Sequence, residues 1–344
     1  MGGIHEGKIT MAITRADVAR LAGTSPALVS YVINGGPRQV APATRARIEA
    51  AIAELGYRPN VSARSLRMNR GHALGMVIPD GANPFFAELS AVIEAAAFAR
   101  GYPLFVGNAA GDEERERAYV RTFIDRRVEG LLAISSSWET GVADACEESD
   151  MALVAVDRII DPTRCAHVMC DSVTGARDAV AHLIEHGHRV IACLSGPHVS
   201  TAEDRVQGYR NALAEAGLPE GPLLRADFGG AAGYHALAGL TAATPSPTAV
   251  FVTSDLQAMG MLRAAHDAGL RVPDDLAVVA FDGIEYARYT RPGLTTMVQP
   301  TRRMGELAVD LLLEQIASRT THPGVVRLAA ELTRRGSCGC PDEF

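Results

Sequence analysis

Apolar residues recur at helical spacing in short windows near the N-terminus, then give way from residue 73 onward to brief apolar runs alternating with amphipathic stretches. In the first window Thr14 and Asp17 stand as a capping pair. Val18, Leu21 and Ala22 are predicted to face inward at i, i+3, i+4, and Gly23 supplies the left-handed stop. Ser25 then caps a second helix with Pro26 at its first position. Leu28, Val29, Val32 and Ile33 pack inward, which turns Pro26, Ala27, Ser30 and Tyr31 outward, and Asn34-Gly35 ends the helix. A third helix is predicted from Pro42 to about Leu55, with Ile48, Ala51, Ile52 and Leu55 as its stripe and Gly56 closing it. This is the spacing of a helix-turn-helix, whose second helix presents its N-terminal end and outer face to the DNA major groove. An ordinary helical hairpin shares the pattern, so the motif alone leaves both readings open. Next, Pro59-Asn60 breaks the structure, and Val61–Arg67 is long enough for one or two helical turns. So short a helix does not hold alone in water.

Beyond Ala73 the apolar runs read as buried parallel strands: Ala73–Ile78, Leu104–Val106, Gly130–Ile134, Ala152–Val156, Val190–Leu194, Ala249–Thr253 and Leu276–Phe281. Helical stretches separate them at Phe85–Arg100, Glu113–Arg126, Thr174–Glu185, Arg205–Ala216, Gly233–Leu240, Ala258–Ala268 and Thr301–Ile316. Such alternation means doubly wound α/β layers. The units are too many for one compact sheet, so two similar subdomains are expected. Their ligand site would lie at the carboxyl ends of the strands, in the cleft between them.

A chain of 344 residues has room for two or three such cores. Charge changes the picture more than length does. The net charge of −7 conceals ten Lys/Arg against four acids in residues 1–70, a basic head at +6 on a body at −13. That distribution suits a nucleic-acid reader whose head alone touches phosphate. No run approaches the ~20 apolar residues of a membrane span. Residues 1–11 have no apolar core and are read as a disordered extension, or as the trace of an upstream start codon. A cytoplasmic location is expected. The six cysteines are scattered without CxxC spacing, so neither zinc nor a disulfide framework is expected, and Cys338-Gly-Cys340 stays unassigned.

Several motifs in fixed order give the chain a resemblance to the LacI/GalR family of bacterial transcriptional repressors. They are Asp17-Val-Ala, Gly23-Thr-Ser, Val29-Ser-Tyr-Val-Ile-Asn34, Leu55-Gly-Tyr-Arg-Pro-Asn60, Ala63-Arg-Ser-Leu66, Asn83-Pro-Phe-Phe86, His182-Leu-Ile-Glu-His-Gly-His188, Phe281-Asp-Gly283, and Leu294-Thr-Thr with Gln299-Pro300. The resemblance implies an all-α helix-turn-helix domain over 12–58 and a hinge over 59–70. Behind them it implies a periplasmic-binding-protein-like body of two parallel-sheet subdomains, 71–170 with 299–328 and 171–298 with 329–344. It also implies a homodimer that binds a palindromic operator and answers to a small molecule. The operator would meet Thr14, Ser25, Pro26, Ala27, Ser30, Tyr31 and Asn34, with Asn60, Ser62, Ala63 and Leu66 from the hinge. Leu66 matches the leucine that wedges into the minor groove, a step whose unstacking cost the contacts of a kinked duplex offset. Many members carry arginine where this chain has Tyr31, so the arginine–guanine contact is absent there. Ala41 replaces a common capping Ser or Thr.

For the effector the resemblance points to Phe85, Asp157, Asp171, Arg205, Phe228, Ser254 and Asp282. Carboxylates and arginine would hold the hydroxyls of a sugar while Phe228 covers a face. A purine sandwiched by Phe85 and Phe228 would also fit. Each residue has a plainer reading too, Asp282 as a cap and Arg205 as a surface residue. His182 and His186 lack the glutamate of a metalloprotease helix and read as C-terminal residues favouring the helix dipole; no metal or cofactor is expected. No nucleophile elbow or strand-linked GxGxxG supports catalysis. A sugar-binding transport component would share the body, but not the basic head.

Overall fold

The computed structural model describes residues 13–34, 39–57, 71–135 and 141–342. The chain divides into two compact units, Met1–Asn69 and Arg70–Phe344. Three predicted features lie outside the described residues: the 1–11 extension, the Val61–Arg67 hinge helix with Asn60, Ser62, Ala63 and Leu66, and the side chain of Asn34.

In the first unit, helices α1 (Arg15–Leu21), α2 (Pro26–Asn34) and α3 (Pro42–Leu55) pack around Val18, Ala19, Ala22, Val29, Ile48 and Ala51. The Asp17 carboxylate accepts from both the backbone N–H (2.9 Å) and the hydroxyl (2.6 Å) of Thr14. Those hydrogen bonds hold it below its ordinary pKa. Ser25 Oγ accepts from the Leu28 N–H at 3.3 Å, and Gly23 and Gly56 both end helices at φ +61. One expectation fails: Leu21 is 47% exposed, and Ala19 takes its place in the core. A seven-residue helix buries only its i, i+1, i+4 stripe here, and that stripe is Val18, Ala19 and Ala22.

The second unit holds two six-stranded sheets. The first contains β1 (Leu74–Ile78), β2 (Leu104–Asn108), β3 (Gly130–Ala133), β4 (Ala152–Val156), β5 (Ala166–Cys170) and β11 (Gly324–Leu328), in spatial order β11-β5-β4-β3-β1-β2 and all parallel. The second contains β6 (Ile191–Ser195), β7 (Leu223–Arg225), β8 (Ala249–Val252), β9 (Ala277–Asp282), β10 (Thr295–Val298) and β12 (Glu331–Thr333), in order β12-β10-β9-β8-β6-β7. Only β12 runs antiparallel to its neighbour there. Strands β1, β3, β5, β6, β8 and β9 are buried at every position, as strands covered on both faces must be.

The helices of this unit are α4 (Pro84–Ala99), α5 (Glu113–Asp125), α6 (Val142–Glu148), α7 (Ser172–Glu185), α8 (Ser200–Glu215), α9 (Gly230–Thr241), α10 (Asp255–Asp267) and α11 (Thr301–Ser318). Asn83 caps α4 by accepting from the Phe85 N–H, and Asp112 caps α5 by accepting from Glu114 and Arg115. The chain passes between the sheets three times: from β5 into α7, from β10 through Gln299-Pro300 into α11, and from β11 to β12. Further links join the subdomains. Glu88 Oε1 accepts from the Glu285 N–H (3.0 Å), Ser200 Oγ accepts from the Ile159 N–H (3.1 Å), and Arg327 pairs with Asp204 at 3.4 Å.

Strands β5, β7, β10, β11 and β12 and helix α6 were not among the predicted elements. β7 and β12 have three residues each, and β5 (Ala-His-Val-Met-Cys) carries a histidine that breaks its apolar run. That His167 is fully buried. Its Nε2 accepts from the Ile160 N–H at 3.0 Å while Nδ1 faces the Cys165 carbonyl at 3.1 Å, a neutral ring serving as a backbone plug. No helix among the described residues is long and apolar enough to cross a membrane.

Candidate functional site

In the head, Pro26 and Ala27 are exposed at the start of α2, while Ser30 and Tyr31 are half-buried. Ser30 Oγ accepts from the Arg15 guanidinium at 3.3 Å, which ties α1 to α2 behind that face. Thr14 and Ser25 both serve as caps, so their side chains are held at helix N-termini, where backbone N–H groups favour an anion such as phosphate.

In the body, the strand ends of the two sheets carry the polar residues that the resemblance points to. Asp157 follows β4 in a left-handed conformation (φ +64) and Asp282 ends β9 at φ +135. Both are buried, at 3% and 6% exposure. Arg205, in the second turn of α8, is equally buried, and so its surface-residue reading is excluded. Its Nη1 lies 3.0 Å from Asp282 Oδ1 and donates to the Thr253 carbonyl at 2.5 Å, while the guanidinium lies 4.0 Å from the centroid of the Phe281 ring. Gln299 Nε2 also donates to Asp282 Oδ1, at 2.9 Å. Ser254 stands beside this carboxylate and helps lower its pKa against the burial that raises it. Across the cleft, burial pushes Asp157 up to about 6; the fields of Arg158 and Arg205 pull it down and that of Asp282 pushes it further up. The structure therefore brings Asp157, Arg205, Ser254 and Asp282 into one electrostatic group spanning both subdomains.

The other three residues have different partners. Asp171 caps α7, its Oδ1 accepting from the Thr174 N–H at 3.2 Å. Phe85 is buried in the core with its ring 5.2 Å from that of Phe86. Phe228 is half-buried after β7 and leans on Gly196, where a Cβ would stand 2.2 Å from its Cζ.

Four residues emerge only from the structure. Arg158 lies 5.5 Å from the Phe86 centroid and donates to the Ser135 carbonyl at 3.1 Å, and Ser135 in turn donates to buried Glu116 at 2.5 Å. Asp255 accepts from the Gly283 and Ile284 N–H groups and the Thr296 hydroxyl, fixing the turn that follows Asp282; burial and the Asp282 charge raise its pKa. Gln257 holds the Asp227 carbonyl at 2.9 Å, next to Phe228. Gln299 belongs to a quoted motif, yet its role needed the fold. Asp157 Oδ1, Arg158 Nε, Arg205 Nε, Gln257 Oε1 and Gln299 Oε1 are buried without a hydrogen-bond partner. Buried polar atoms are rarely left so, and a cluster of donors and acceptors at a cleft is what a polar ligand would satisfy.

Residues 14–60 match the family described as bacterial regulatory proteins, lacI family, and residues 180–338 match a periplasmic binding protein-like domain. The ribose operon repressor of Escherichia coli (strain K12) is 38% identical over 328 residues, covering 94% of this chain and 99% of the relative. The chain belongs to the LacI family. Another member, the transcriptional repressor PurR of Aliivibrio fischeri (strain MJ11), is 37% identical over 330 residues, covering 94% and 98%. Among solved structures, the Lac repressor dimer bound to operator and the anti-inducer ONPF superposes with a TM-score of 0.85 at 28% identity, covering 95% of this chain and 99% of that one. The complex of the regulator CelR with cellobiose gives 0.73 at 32% identity, covering 94% and 99%. A LacI-family head followed by two parallel-sheet subdomains is thus the architecture of this chain, and transcriptional regulation through DNA binding is its function.

Proposed function

We propose that the chain is a homodimeric, cytoplasmic repressor whose grip on a palindromic operator is switched by a small sugar bound between the subdomains, and that it catalyses no reaction. The set of buried, unpartnered polar atoms on Asp157, Arg158, Arg205 and Gln299 carries this reading. A ligand that satisfies them must offer both donors and acceptors around a small ring, and vicinal hydroxyls do so. Hydrogen bonds to charged groups are the strong kind, and a site built for hydroxyls rejects analogues that lack them. Asp157, Arg205, Ser254 and Asp282 would hold the hydroxyls from both sides and Phe228 would cover a face. Bridging the subdomains, such a ligand changes their relative energies and so the dimer's fit to DNA. Ribose is the first sugar to test, since one relative is a ribose operon repressor. A purine is the second reading, because PurR proteins are almost equally similar.

The test is selection of genomic fragments by the full-length protein at physiological salt, with residues 71–344 as control. Calorimetry then follows with pentoses, hexoses, their phosphates and purine bases. One palindromic site retained by the full-length chain alone, and shifted in affinity by one sugar, is the expected result. Saturable binding of a purine base with no sugar response would replace the sugar reading. Retention of no specific fragment would remove the operator reading.

A further inference from the structure

Far from the cleft, four soft donors converge on the C-terminal end of α7. His182 Nε2 lies 3.2 Å from Cys338 Sγ and 3.7 Å from Cys340 Sγ, and His186 Nε2 lies 3.6 Å from Cys340 Sγ. Ligand atoms of His182, Cys338 and Cys340 all fall within 4.8 Å of one another, His186 joins them as a fourth donor through Cys340 and its ring contact with His182, and none of the six cysteines is disulfide-bonded. Zinc bonds to thiolate and imidazole at tetrahedral angles place neighbouring S and N atoms about 3.6 Å apart. The three S···N distances bracket that value.

The backbone prepares this convergence from both sides. Helical i, i+4 spacing sets the two imidazoles on one face of α7, with ring centroids 4.4 Å apart. The tail brings the sulfurs to that face by turning at Gly339, whose φ of +95 suits glycine. A Cβ at Gly339 would already lie 3.8 Å from His186 Nδ1. The Thr295 hydroxyl, 3.1 Å from Cys338 Sγ, is placed to donate to a thiolate as an outer-shell partner. Cys338 and His182 are 2% and 5% exposed, so two of the donors are already desolvated.

We propose that His182, His186, Cys338 and Cys340 form a four-coordinate site for a thiolate-seeking divalent metal, zinc first, that fastens the C-terminal tail to α7. Two histidines and two cysteines leave no open position for chemistry, so the role is structural. The donors lie 156 residues apart in sequence, so the site exists only once the chain has folded, and the free energy of binding a metal there adds to that of folding.

The test uses the full-length protein, reduced and stripped of metal, titrated with Zn²⁺ against a chromophoric chelator and with Co²⁺ by absorption. One ion per chain is expected, with thiolate-to-cobalt charge transfer and tetrahedral d–d bands. Affinity should fall in Cys340→Ser and His186→Ala by more than the roughly 10–100-fold that loss of an outer-shell partner costs, with far-ultraviolet circular dichroism unchanged. Mass-spectrometric alkylation of the unaltered chain gives a second readout that does not depend on the variants folding: Zn²⁺ should protect Cys340, the one cysteine that is not buried. Undiminished metal binding in both variants, no binding by the reduced protein, or alkylation of the Cys338-Gly-Cys340 peptide unaffected by Zn²⁺ would each overturn the site.

Discussion

Arg205 Nη1 meets Asp282 Oδ1 at 3.0 Å with both side chains almost wholly removed from solvent. Removing one partner of a buried ion pair strands the other, at a cost of about 3–5 kcal/mol. Arg205→Met should therefore lower the urea midpoint of the body strongly and abolish effector binding. Asp282→Asn, which retains an acceptor for Gln299 and Arg205 and tolerates positive φ, should lose less stability. Equal losses in the two variants would show that the stranded charge, and not the lost hydrogen bonds, sets the cost.

Asp157 supplies a pH signature. Its folded pKa is raised to about 6 by burial, above the ordinary value of about 4. Protonation therefore favours the folded state: the contribution is complete below about pH 4 and is lost as pH rises through about 6. Asp157→Asn should remove this dependence, gaining stability over the parent chain as pH climbs from 4 to 7. A ligand donating to Oδ1 favours the carboxylate, so effector binding should tighten over the same interval and release protons, seen as buffer-dependent heat near pH 6. A pH-independent difference between parent and variant would exclude this role.

Helices α9 and α10 touch backbone to backbone. A Cβ at Gly260 would stand 1.8 Å from the Gly230 carbonyl oxygen, and one at Gly233 would stand 1.9 Å from that of Gln257. Neither carbonyl can swing aside as a side chain could. Gly260→Ala and Gly233→Ala should each destabilise the body by about 1–3 kcal/mol or more. Gly269→Ala meets open space but stands at φ +72, so its cost should be confined to backbone strain of about 1 kcal/mol. Denaturant unfolding of the three variants checks the order.

Ala41 leaves the N-terminus of α3 without a side-chain cap. Ala41→Ser should stabilise this helix by about 1 kcal/mol, read as slower hydrogen exchange at Ala43 and Thr44. Unchanged exchange there would mean that the Ala41 backbone cannot present a hydroxyl to those amides.

Much of this was legible in sequence because it is local. Capping pairs, the stop glycines and the fully apolar strands declare themselves within a few residues, so the three helices of the head and seven of the strands appear at nearly their observed limits. Leu21 did not, since which stripe of a two-turn helix is buried depends on what packs against it. The cleft divides similarly. Asp157, Ser254 and Asp282 follow strands, and Asp282 stands in the Phe281-Asp-Gly283 motif, whereas Arg205, in the second turn of α8, was pointed to by the family resemblance alone. Arg158 and Asp255 act through partners distant in sequence, Asp255 gripping a turn 28 residues away. The histidine–cysteine cluster was illegible for the same reason: neither HxxxH nor CxC is informative until the fold superimposes them.

The order of strands also sets an order in time. β11 and β12 lie at one edge of each sheet, separated by two residues, and follow every other strand in the chain. On the ribosome neither sheet can close this edge until residues 324–333 have been made, whereas every buried core residue of the head has been made by Ala51. Domains fold as they emerge, N-terminal first. The nascent chain thus acquires its DNA-reading surface well before it has a finished body through which any ligand could govern it. A message truncated before Gly324 would leave β5 and β10 as exposed sheet edges, prone to pair with other chains.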